Sequence, residues 1–130
     1  MILVFDTSIV VDIERKNKTT LNKIYKIIRL HSDPAKITFI TYYEFLNGLE
    51  KKNIKNKDKA LEFINNFEVL QITKKTAEIL SELKIKYDKL GINFSLTDLL
   101  IASQVIENQM LLLTKDSDFE KIDELKKIIL

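Results

Sequence analysis

The 130-residue sequence has no cysteine, one histidine (His31), one proline (Pro34) and two glycines, Gly48 and Gly91. Without cysteine neither a disulfide framework nor a zinc–thiolate site can form, and a lone histidine speaks against a His-centred catalytic triad. Any catalysis falls to carboxylates, lysines and hydroxyls. Two isolated glycines cannot make a Gly-rich phosphate loop, and no flexible linker divides the chain. No apolar run approaches the roughly 18 residues needed to cross a bilayer. The opening "MILVFD" lacks the basic region and cleavage site of a secretory signal. The expectation is a cytoplasmic protein with no membrane partner.

What is present is a chain that is 45% apolar, enough for one sizeable core, so residues 1–130 are expected to form a single domain. Charged residues make up 31% with a net charge of +2. That balance is compatible with a polyanionic partner but does not select one. The stretch "KKNIKNKDK" (51–59) reads as a solvated connection between helices in preference to an RNA-binding patch.

Residues 2–5 (ILVF) and 111–113 (LLL) are short continuous apolar runs, the pattern of strands buried on both faces. "KITFI" (36–40) and "EVLQI" (68–72) are two further predicted strands. Between them apolar residues recur at helical spacing, as in Leu21, Ile24, Tyr25 and Ile28, or Leu80, Leu83 and Tyr87. Short apolar strands alternating with helices predict an α/β domain whose mainly parallel sheet carries helices on both faces. In such sheets ligands bind at the carboxyl ends of the strands.

Acids fall at those ends. The first strand runs into Asp6, which, with Thr7 and Ser8, also reads as a helix cap. The "LLL" strand runs past Thr114 into Lys115, Asp116 and Asp118. Asp98, in "FSLTDLLIASQVIE", stands three residues after Ser95 as in a capping box. It also heads the stripe of Ile101, Ala102 and Val105, so its carboxylate is predicted to point inward, where an unpaired charge is costly. Glu44, in "TYYEFLNGL", lies nearly opposite the apolar stripe of its helix, where a solvated glutamate belongs, yet it follows the end of a predicted strand. Asp12 reads as a solvated helix residue, and His31 as a cation near a helix C-terminus.

Several carboxylates brought that close cannot all stay ionised without a shared proton or a bound cation. Oxygen donors without Cys or a placed His select hard ions, Mg²⁺ or Mn²⁺. Such a site suits phosphoryl chemistry.

Taken in order, "ILVFDTSIVVDI", "TYYEFLNGL", "FSLTDLLIASQVIE" and "LLLTKDSDFEKI" resemble the PIN domain, and specifically the VapC-type toxin ribonucleases, over essentially the whole chain. The resemblance implies a single PIN-like α/β domain acting as an Mg²⁺-dependent endoribonuclease. By position Asp6, Glu44 and Asp98 resemble the first three invariant acids. Asp116 resembles the Asn or Asp position of the last motif, and Asp118 the acid before its Phe. This implies Asp6, Glu44, Asp98 and Asp116 as catalytic, with Asp6, Asp98 and Asp116 on the metal. Asp118, Thr7, Ser8 and Thr114 are further candidates, either on the metal or behind it, the hydroxyls having capping and turn roles as the alternative. Lys115 is expected to attract the RNA backbone. The family also implies a VapB-type antitoxin partner and a homodimer. The helices bearing Phe45, Leu49, Phe63 and Phe67 are read as core in preference to a partner groove.

Two rivals stand beside this reading. A PIN-like module that binds RNA or protein without cleaving would keep the fold and lack metal affinity. A receiver-type phosphoacceptor domain would need an Asp at the end of its third strand, and "LQITKK" has none.

Overall fold

The computed structural model describes residues 1–52 and 56–130. Residues 53–55, the middle of the predicted connection at 51–59, lie outside the described residues. The chain runs β1 (Leu3–Phe5), α1 (Thr7–Glu14), α2 (Lys18–Ile28), β2 (Ile37–Thr38), α3 (Phe39–Lys52), α4 (Lys57–Asn65), β3 (Val69–Leu70), α5 (Lys74–Lys89), α6 (Leu96–Glu107), β4 (Leu111–Thr114), a 3₁₀ turn (Ser117–Lys121) and β5 (Lys127–Ile129).

All strand pairings are parallel: β4 lies between β1 and β5, and β2 pairs with β3. A single parallel bridge between Val4 and Lys36 joins the two ladders, with Phe5 N–H donating to Lys36 O and Lys36 N–H to Leu3 O, both at 2.9 Å. The strands therefore follow the order β3-β2-β1-β4-β5. The chain works outward from β1 to β2 and β3, then returns through α5 and α6 to place β4 on the other side of β1. The order reverses between β1 and β4, which is where open parallel sheets leave a crevice at their carboxyl edge.

Alternation along the strands buries both faces. Leu3, Phe5 and Leu113 face a cluster with Ile9 and Val10 of α1, Ile24 of α2, Phe45 and Leu49 of α3, and Ala60 and Ile64 of α4. Val4 and Leu112 face the opposite cluster, built on Leu83 and Tyr87 of α5, Leu99 to Val105 of α6, and Phe119, Ile122 and Leu125 beyond β4. Helices on both faces of a parallel sheet are what the apolar pattern predicts. Phe45 and Leu49 are buried, and Phe63 and Phe67 are half-buried against the same cluster with their rings edge to face at 5.4 Å, so these residues serve the core.

Several predicted boundaries are corrected. The "KITFI" strand ends at Thr38, because the Thr38 hydroxyl accepts from Thr41 N–H (3.2 Å) and so opens α3 at Phe39. The "EVLQI" strand shrinks to Val69–Leu70. β5 is a strand that the apolar pattern of "KKIIL" did not announce. His31 does follow the end of α2, but its ring Nδ1 donates to Met1 O at 2.7 Å, tying the helix exit to the start of β1.

Candidate metal centre

Asp6 sits where β1 becomes α1. Its backbone N–H donates to Leu113 O at 2.9 Å, and its carbonyl accepts from Ile9 and Val10 N–H, the first bonds of α1. Its carboxylate does two things at once: Oδ1 accepts from Thr7 N–H (2.9 Å), and Oδ2 accepts from the Thr114 hydroxyl (2.7 Å) at the end of β4. The residue is only 7% exposed. Burial pushes its pKa above the ordinary carboxylate value against the two hydrogen bonds, and the negative charges of Glu44 and Asp116 push the same way.

Thr114 is fully buried and connects the two strand exits, since its hydroxyl also accepts from Asp116 N–H at 3.0 Å. Asp116 then caps the 3₁₀ turn, its Oδ1 accepting from Asp118 N–H at 2.9 Å. That turn sets Asp116 and Asp118 side by side.

Asp98 arrives from α6. Ser95 is the N-cap, its hydroxyl accepting from Asp98 N–H (3.1 Å), as the sequence predicts. Ile101, Ala102 and Val105 are buried and Asp98 is half-buried at the head of their stripe. Its pKa is raised, first by burial and then, against the Ser95 hydroxyl, by Asp116, Asp6 and Asp118.

Carboxylate oxygens of Asp98, Asp116 and Asp118 all lie within 4.8 Å of one another. Asp118, the further candidate, is thus in the group, so both acids of "TKDSDF" face the same point. Asp6 stands beside this trio, engaged by Thr7 and Thr114 and felt electrostatically by Asp98 and Asp116. The donor set is oxygen only, and its charges are unfavourable to each other. This fits a hard divalent cation, with Asp98, Asp116 and Asp118 as the residues that could hold it and Asp6 adjacent.

Glu44 is not solvated as its helix position suggests. It is half-buried, and the Thr7 hydroxyl donates to its Oε1 at 2.6 Å. Thr41, one turn earlier on α3, puts its hydroxyl 3.1 Å from Thr7 Oγ1. Thr41 was missed, although its place three residues before Glu44 on one helix face was a usable signal. Ser8 Oγ is buried with no hydrogen-bond partner among the described residues.

Asp12 is corrected outright. It is only 14% exposed, and its Oδ2 accepts from the Thr20 hydroxyl (2.5 Å) and from Lys115 Nζ (2.6 Å). Burial raises its pKa, but these bonds outweigh it and hold the group below the ordinary value. Lys115, expected at an RNA backbone, is engaged by Asp12.

Carboxylates gathered at the carboxyl edge of a parallel sheet, where the strand order reverses, define an α/β domain with an acidic cluster that could hold a cation. A family model described as the PIN domain matches residues 3–125, and the chain belongs to that family. Comparison with curated proteins finds no significant match. Among solved structures the fold is similar to VapBC2 from Rickettsia felis bound to a promoter DNA fragment, with a TM-score of 0.82 and 23% identity over 100% of this chain and 99% of that one. It is also similar to DNA-bound VapBC from Salmonella typhimurium (0.80, 21%, 99% and 98%) and VapBC-1 from nontypeable Haemophilus influenzae (0.79, 20%, 99% and 98%). At these identities the likeness is one of fold.

Proposed function

We propose that this protein is a divalent-metal-dependent endoribonuclease, the toxin half of a VapBC-type pair, and that residues 1–130 form the nuclease domain. The observation that carries this is the convergence of Asp98, Asp116 and Asp118 within 4.8 Å beside the buried Asp6. Family membership and the similarity of the fold to VapBC structures support it.

Asp98, Asp116 and Asp118 would hold Mg²⁺, or Mn²⁺, and Asp6 would complete their charge. Held by these residues, the cation would supply activation of water and charge stabilisation for the leaving oxygen of a phosphodiester. The protein's own groups supply the rest. Thr114 and Thr7 fix the orientation of Asp6, and Thr7 fixes Glu44 through Oε1, making Glu44 the candidate to receive the proton of the attacking water. An antitoxin of the VapB type, a second copy of this chain and RNA are the proposed partners.

The test is titration of wild type and Asp98→Asn with Mn²⁺ and Mg²⁺, followed by RNA cleavage with and without the ion. Wild type is expected to bind and cleave, and the variant to lose both. Metal binding without cleavage of any RNA would make the protein a binding module, and absence of both would remove the proposal.

A further inference from the structure

Strand geometry sends successive side chains to opposite sides. At the exit of β4, Thr114 and Asp116 turn toward Asp6 and the acid trio, whereas Lys115 between them reaches the other way to α1. The cation nearest in sequence to the acids is therefore not paired with them. It is held by Asp12, on an oxygen already fixed by the Thr20 hydroxyl of α2. A lysine is a point charge on a flexible four-carbon stem. Freed from Asp12, a stem rooted next to Asp116 has the acid trio as the nearest concentration of negative charge.

We propose that Asp12 is a positioning residue for the metal centre: by holding Lys115 against α1, it keeps that ammonium off Asp98, Asp116 and Asp118 and leaves them open to a divalent cation. This rests on the metal reading above. It differs from a simple brace between α1 and β4, because it gives Lys115 a cost to metal binding that only Asp12 removes.

Calorimetric titration with MnCl₂ and MgCl₂ separates the possibilities. In Asp12→Asn, Lys115 competes with the ion, and the dissociation constant is expected to rise about tenfold, as for one added charge near a partly exposed site. In Asp12→Asn/Lys115→Met the competitor is gone and affinity returns to the wild-type value. In Lys115→Met alone, affinity is equal to or tighter than wild type, the opposite sign from a brace, whose loss weakens binding from either side. The single Lys115 variant decides the matter if Asp12→Asn fails to fold, and circular dichroism confirms folding in each case. Unchanged affinity in Asp12→Asn, no rescue in the double variant, or weakened binding in Lys115→Met overturns the inference while the metal site stands. No binding by wild type removes the metal site itself and the inference with it.

Discussion

At the scale of single residues, Asp98 and Thr114 carry the sharpest expectations. Asp98 has its pKa raised in the folded chain, so the folded state holds its proton longer than the unfolded state does. Its contribution to stability then falls as pH rises from its ordinary value of 3.8 through the raised one. In the presence of a chelator, Asp98→Asn is expected to melt roughly 2 °C above wild type at pH 7 and to converge with it near pH 4. Thermal melts across pH check this, and a variant less stable than wild type at pH 7 refutes it. Thr114→Val leaves Asp6 buried without its side-chain donor and is expected to cost about 1–3 kcal/mol in urea unfolding, while Thr114→Ser, which keeps the hydroxyl, costs well under half of that. Part of this site was legible: Asp6, Asp116 and Asp118, each ordinary taken singly, stand out because they fall together at one sheet edge, and Asp98 because it heads an apolar stripe. Asp12 was not legible, because its partners Thr20 and Lys115 are eight and 103 residues away, and helical periodicity records only which way a side chain leaves its own helix.

At the scale of elements, the sequence showed that helices and strands exist more clearly than where they stop. Three helices end in the same way, with a residue of positive φ just beyond the C-cap: Lys16 after α1 (57°), Gln109 after α6 (55°) and Gly91 after α5 (73°). In each case the following residue folds its N–H back into the last turn, Asn17 to Asp12 O, Met110 to Val105 O and Ile92 to Tyr87 O. Only one of the three carries the glycine that advertises such an ending, so two helix ends were silent in the sequence. Gln104 was silent for a different reason: a glutamine in a helix reads as surface, yet it is fully buried. Its Nε2 donates to Leu70 O (2.9 Å) and its Oε1 accepts from Phe39 N–H (3.2 Å), so one side chain on α6 ties down the end of β3 and the start of α3. Gln104→Leu, similar in bulk but without polar atoms, strands a carbonyl and an amide and is expected to cost about 2–4 kcal/mol in chemical denaturation. Because α3 carries Thr41 and Glu44, catalytic turnover is expected to fall further than metal affinity. An unchanged unfolding midpoint would show that the two backbone groups find other partners.

At the scale of the whole molecule, two sets of carboxylates pull stability in opposite directions. Asp6 and Asp98 are raised, so the metal-free chain loses stability as pH climbs through their folded values. In Glu124 burial raises the pKa, but hydrogen bonds from Tyr87 (2.6 Å) and Lys86 (2.9 Å) outweigh it and leave the group lowered, as Asp12 is. The stability from these two is present above their ordinary pKa values and is lost as pH falls through the lower folded ones. Stability without metal is expected to peak between the two windows, in mildly acid solution, and Mg²⁺ is expected to lift only the limb above the peak. Urea unfolding from pH 3 to 8, with and without the ion, reads both limbs, and a lift equal at pH 3 and pH 8 would contradict the assignment. The general architecture was legible because both faces of each central strand are apolar, whereas β5 was not: three half-buried residues at an edge leave little pattern.

The position of β4 has a consequence in time. It inserts beside β1 only after the chain has passed through α5 and α6, so the pairing of Leu3–Phe5 with Leu111–Leu113 closes a loop of nearly the entire molecule. A nascent chain emerging from the ribosome carries Asp6 early, on a sheet whose edge is still open, with neither Thr114 nor Asp116 yet synthesised. Asp6, Asp98 and Asp116 can meet only once β4 has been made and has docked beside β1, so the acid cluster assembles in one late step and not by gradual accretion.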